Sequence, residues 1–212
     1  IYFMQVSKYL FKDYSLKIIK ALEKVDQHAV DKLFDQIDKI IGTNSNIYIL
    51  GNGGSQANAH HIAGDFMKTF SIAGLKLKIS CLADNVCHLT AASNDISFED
   101  SYSMLVGNII DQNDFIIYLS GSGNSINLVK CARKAFTKGI KQSAIVGYNG
   151  GALKKIVDYP IHVNFDDMEI SEDIQLSIFH YIKQRLMDKY SALFNEVDIS
   201  KYRKRTTEDL IS

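Results

Sequence analysis

Tryptophan is missing from this chain of 212 residues, proline occurs once, and cysteine three times. Cys81, Cys87 and Cys131 are too few and too scattered for a disulfide framework and show no CxxC spacing, so a reducing cytoplasm is the expected setting. Net charge is absent as well: 24 basic residues balance 24 acidic ones, which gives no global field toward nucleic acid or anionic membrane. No apolar run reaches the length of a bilayer-spanning helix, and the first residues show no basic-then-apolar signal pattern. What is present is an ordinary globular composition in a chain long enough to bury its own core, most simply as one domain.

Hydrophobic periodicity divides the chain. Residues 1–42 predict two helices, with Tyr9, Leu10, Tyr14, Leu16, Ile19 and Leu22, then Val30, Leu33, Phe34, Ile37, Ile40 and Ile41, at three-to-four spacing. From residue 47 short runs rich in branched residues take over: 47–50, 115–120, 143–148 and 161–163, with 76–80 as a further candidate strand. Helical patterns separate them at about 55–70, 97–110, 124–138 and 169–193. The alternation predicts an α/β three-layer sandwich, a mainly parallel central sheet flanked by helices, with an N-terminal helical extension. Pro160 precedes the last strand, where it does no harm. The expected division is helices at 1–42, an α/β domain at 43–194 and a polar tail at 195–212.

Two small-residue loops follow predicted strands: GNGGS at 51–55 and SGSGNS at 120–125. Glycines permit sharp turns and close backbone approach, serines add donors, and a following helix N-terminus favours an anion. Either loop alone reads equally as a tight corner. Two at the same end of one sheet favour a cradle for a phosphate. Neither has the GxxxxGK[ST] pattern, and Gln56 occupies the third glycine position of a GxGxxG fingerprint, so a nucleotide cofactor is not expected.

His61 and Asp65 lie four apart, on one face of a helix, which makes either a polar surface or half of a divalent-metal site. His60 points about 100° away around the same helix and stays outside that pair. His88, near the end of a loop, reads as a core residue rather than as support for a site, and His28 and His162 have no constellation around them. Glu172 and His180 are eight apart, about 12 Å of helical rise, too far for a straight helix to place both on one ion.

GNGGS after one strand, SGSGNS after the next core strand, and Asn94–Asp95 together resemble the sugar isomerase (SIS) superfamily, and within it the bacterial phosphoheptose isomerase family. The resemblance runs from the N-terminal helices to about residue 190. It implies interconversion of sedoheptulose 7-phosphate and D-glycero-D-manno-heptose 7-phosphate, for lipopolysaccharide or capsule, through an enediol. It also implies a cytoplasmic homotetramer with sites between subunits, and no nucleic-acid or membrane partner. Sugar-phosphate contacts then fall on Asn52, Gly53, Gly54, Ser55, Asn94, Asp95, Ser120, Gly121, Ser122 and Ser125. Metal and acid–base positions fall on His61, Asp65, Glu172 and His180; zinc is the implied ion, with Asp65 as base and His180 as acid, and both Asp65 and Glu172 face substrate.

Three positions depart from the family's common form: Asp65 stands where Glu is usual, Glu172 where Gln is usual, and Gln175 where His is frequent. Other readings are an isomerase of a different phosphosugar, a phosphosugar sensor, or a non-catalytic adaptor that binds a replication initiator. Retention of His61, a carboxylate at 65 and His180 together favours an enzyme. A DNA-linked regulator would need a helix-turn-helix segment, for which the N-terminus leaves no room.

Overall fold

The computed structural model describes residues 9–196. Its elements in chain order are α1 (Phe11–Leu22), α2 (Gln27–Ile40), β1 (Asn46–Leu50), α3 (Gly53–Ile72), β2 (Lys78–Cys81) and α4 (Val86–Asp95). There follow β3 (Phe115–Ser120), α5 (Ile126–Thr137), β4 (Lys141–Val146), α6 (Leu153–Ile156), β5 (Tyr159–His162), α7 (Met168–Lys189) and α8 (Ser191–Glu196). The strands form one five-stranded sheet in the order β2-β1-β3-β4-β5, every neighbouring pair parallel. Helices on both faces complete the predicted sandwich.

Burial follows strand position. β3 is buried at all six residues and β1 at four of five, as expected of strands covered on both faces. The edge strands β2 and β5 are only partly buried. Pro160 lies inside β5, opposite Ala144, where an edge strand tolerates the missing N–H.

The chain leaves β1 toward β2, then crosses back to β3 on β1's other side and continues outward to β4 and β5. The order therefore reverses between β1 and β3, and in open α/β sheets the crevice beyond the carboxyl ends at such a point receives ligands. GNGGS leaves β1 and SGSGNS leaves β3, so both loops open onto that crevice.

The N-terminal helices lie against α7 and the sheet. Tyr14 Oη donates to Asp173 Oδ2 at 2.6 Å, Lys17 pairs with Asp167 at 3.1 Å, and Lys189 pairs with Asp38 at 2.5 Å. The Arg185 guanidinium stacks 4.1 Å from the Phe34 ring centroid while pairing with Asp31.

One predicted helix is wrong. Residues 97–110 form two single 3₁₀ turns, Phe98–Asp100 and Ser103–Leu105, followed by an irregular segment; the regular helix is α4, just upstream. The Ser97 hydroxyl bonds both the Asp100 N–H and its carboxylate, a local alternative to continued helix. Buried Tyr102, Leu105 and Val106 reproduce helical spacing without a helix. β4 also ends two residues before the predicted 148, since the Gly147 N–H donates to the Gly121 carbonyl in the loop after β3 at 2.8 Å and Tyr148 turns at φ +45°. Of the expected polar tail, residues 197–212 lie outside the described residues.

Candidate active site

Asn52, Gly53, Gly54, Ser55, Ser120, Gly121, Ser122, Ser125 and Glu172 line one cavity of about 290 Å³, together with Leu119 and Met168. The glycines make room for specific neighbours. A Cβ on Gly54 would come 2.1 Å from Glu172 Oε2, and one on Gly121 would come 2.2 Å from Met168 Sδ. Asn52 caps α3 in extended conformation, and its amide is locked to that of buried Asn127 on α5: each Nδ2 donates to the other's Oδ1, at 2.9 and 3.0 Å. That reciprocal pair fastens the two small-residue loops together. Ser120 Oγ accepts from the Gly123 N–H at 3.1 Å, holding the second loop in its turn.

Asn94 and Asp95 are elsewhere. They sit at the exposed end of α4, bonded to each other, and neither lines the cavity.

Helices α3 and α7 run side by side in the same direction, and their contacts climb in step. Ser55 faces Glu172 (Oγ to Oε1, 3.4 Å), Asn58 faces Gln175 (Nδ2 to Oε1, 3.0 Å), His61 faces His180, and Asp65 faces Lys183. Gln175 is buried and its Nε2 also donates to Ser55 Oγ at 3.2 Å, so the amide braces the serine beside the cavity. Phe66 against Phe179 supplies apolar packing along the same seam.

Farther along that seam, His61 Nε2 and His180 Nε2 lie 3.2 Å apart, their rings edge to face, and ligand atoms of His61, Asp65 and His180 all fall within 4.8 Å of one another. Two ligands of one tetrahedral zinc stand about 3.3 Å apart, so the imidazole pair has the spacing such an ion needs. Glu172 is not in this group. It belongs to the regular part of α7 and faces the cavity, two turns from His180. Thus the four residues expected around a metal divide three and one.

Asp65 also has cationic company that the spacing of the histidines did not disclose. Lys183 pairs with one carboxylate oxygen and Lys68 approaches the other at 3.5 Å. Burial pushes the Asp65 carboxyl up, but the two ammonium groups outweigh it and hold the group below the usual aspartate range. Lys183 follows His180 by three residues and so shares its face, a signal the sequence did carry. Asn127 and Met168 were not legible, because only the fold brings them to the cavity. His88 Nε2 donates to the Ser101 carbonyl, 3.1 Å away, a structural contact.

The SIS domain family model matches residues 10–147, more than half of the chain. A phosphoheptose isomerase of Crocosphaera subtropica is 34% identical over 140 residues, covering 66% of this chain and 71% of the relative. Another, of Helicobacter pylori, is 30% identical over 166 residues, covering 77% and 86%. The solved phosphoheptose isomerase of Neisseria gonorrhoeae superposes with a TM-score of 0.74 at 22% identity, covering 81% of this chain and 94% of that one. With two glycine–serine loops at the sheet's switch point and relatives of this identity and coverage, the chain belongs to the SIS domain family and, within it, to the phosphoheptose isomerases.

Proposed function

We propose that this chain is an aldose–ketose isomerase that converts sedoheptulose 7-phosphate to D-glycero-D-manno-heptose 7-phosphate, for the heptose of lipopolysaccharide or capsule. The observation that supports this most is the α3–α7 seam. It carries an anion-suited cavity at one end and a carboxylate with two imidazoles at the other. A seven-carbon sugar phosphate has its reacting carbons at the end opposite its phosphate, and the two groups are separated in the same sense.

The phosphate binds among the backbone N–H groups that open α3 and the hydroxyls of Ser55, Ser120, Ser122 and Ser125, where the dipoles of α3 and α5 favour negative charge. Asn52, Gly53, Gly54 and Gly121 shape that cradle, and Glu172 contacts sugar hydroxyls. Asp65 takes the proton from the carbon beside the carbonyl. His180 delivers a proton to the carbonyl oxygen. The Lys183 ammonium that depresses Asp65 makes it a weaker base and also places positive charge beside the developing enediolate.

Zinc fits His61, Asp65 and His180 by donor chemistry and by the imidazole spacing. When bound, it would polarise the carbonyl and offset enediolate charge. Asp65 would have to exchange Lys183 for the ion.

The test is incubation with sedoheptulose 7-phosphate, with and without chelator, while following the heptose product. Asp65→Asn and His180→Gln should keep the native circular dichroism spectrum and lose about 100-fold or more in kcat, the usual scale of acid–base catalysis. Unchanged turnover in either variant would sink the assignment. Tight binding of the sugar phosphate without turnover in the native protein would mark a sensor instead.

A further inference from the structure

His60 faces away from His61, toward the end of the edge strand β2. There its Nδ1 lies 2.7 Å from Asp84 Oδ1, and the Sγ of Cys81 completes a group whose ligand atoms all lie within 4.8 Å of one another. Three separate elements supply these donors: α3, the last residue of β2, and the turn that leads into α4. Cys81 is 2% exposed, whereas the His60 and Asp84 side chains are 40% and 55% exposed. The thiol therefore forms the floor of the group, and the imidazole and carboxylate form a rim open to solvent.

We propose that His60, Cys81 and Asp84 form a second metal site, distinct from the His61–Asp65–His180 group, that takes a zinc-like divalent ion with water as fourth ligand. One nitrogen, one sulfur and one carboxylate oxygen suit zinc and exclude the hard ions calcium and magnesium, which take oxygen ligands. Such donors stand about 3.3–3.6 Å apart around a tetrahedral ion, and small rotations of the exposed rim bring the observed group to that spacing. When Nδ1 coordinates, His60 Nε2 carries the ring proton, and Gln56, whose Nε2 lies 3.4 Å from it, would turn its amide so that Oε1 accepts that proton. Binding releases the Cys81 proton to solvent. Redox chemistry is the poorer use of this cysteine, because burial pushes the free thiol up to about 11, which leaves little thiolate to react.

Cobalt(II) titration of the full chain separates the two groups, since only this one contains sulfur. A thiolate-to-cobalt charge-transfer band should develop, saturating at one equivalent where the His61 group cannot compete for cobalt. It should vanish in Cys81→Ser and persist in Cys87→Ser and in the His61→Gln/His180→Gln double variant. His60→Gln and Asp84→Asn, both exposed and so safe for folding, should weaken zinc competition by more than the about 10–100-fold that changes behind a ligand typically cost. Absence of the band in the native chain would overturn the proposal, as would its survival in Cys81→Ser. Undiminished affinity in both rim variants would do the same.

Discussion

Gly54 and Gly123 make opposite demands at the scale of single residues. Gly54 has ordinary backbone angles, and a Cβ there would meet only the end of the Glu172 side chain, at 2.1 Å. Gly123 holds φ +65°, and a Cβ there would meet the Gly150 carbonyl oxygen, a backbone atom, at 2.1 Å. Gly54→Ala should thus leave the melting temperature nearly unchanged and lower phosphosugar affinity by displacing Glu172. Gly123→Ala should cost about 1–3 kcal/mol for the left-handed backbone alone, visible in a denaturant titration. The sequence marked both glycines as parts of phosphate loops. It could not tell that Gly54 faces a side chain and Gly123 a backbone carbonyl, because Glu172 and Gly150 are brought to them only by folding.

Among elements, α7 does the most: it faces α1, α2 and α3 and carries Glu172, Gln175, His180 and Lys183. Asp167 caps it, accepting from the Ile170 N–H at 3.3 Å and pairing with Lys17. Burial raises the Asp167 carboxyl, yet Lys17 and the capping N–H win and hold it below the ordinary range. A carboxyl depressed on folding contributes stability above its unfolded value, about 3.9, and that contribution is lost as pH falls through the lower native value. Asp167→Ala should cost about 1 kcal/mol at neutral pH through the lost cap. Asp167→Asn, still a good cap, should lose less and show a shallower fall in stability below pH about 4. Melting curves at several pH values check both. The strands β1 and β3 were readable because strands buried on both faces are short unbroken apolar runs. The 97–110 segment was misread because buried Tyr102, Leu105 and Val106 imitate a helical stripe, while Ser97 diverts the backbone locally.

For the whole molecule, the outward side of α1 is one apolar part that the described residues leave uncovered. Phe11 is 82% exposed and Ile19 50% exposed, unusual for large apolar side chains on a helix otherwise docked to the domain. If the active sites lie between subunits of a tetramer, as the resemblance of the sequence implies, that face belongs to an interface. Phe11→Glu should then give a smaller species in analytical ultracentrifugation and lower isomerase activity together. A native chain that sediments as a monomer with full activity would remove the proposal. Parallel strands and two docked N-terminal helices could be anticipated from periodicity. What covers α1 could not, because the pattern is the same for a helix that faces its own core or a neighbour.

The nine loop and helix residues at the phosphate cavity include no lysine or arginine, and the full chain carries no net charge. If the cavity takes the phosphate as proposed, capture of the dianion relies on fixed dipoles, whose pull fades within a turn of the helix end, and the chain's net charge supplies no long-range field to guide the ligand inward. Encounter with the substrate is therefore a matter of plain diffusion, and the speed of productive collisions should scarcely change between dilute buffer and the salt of a living cell.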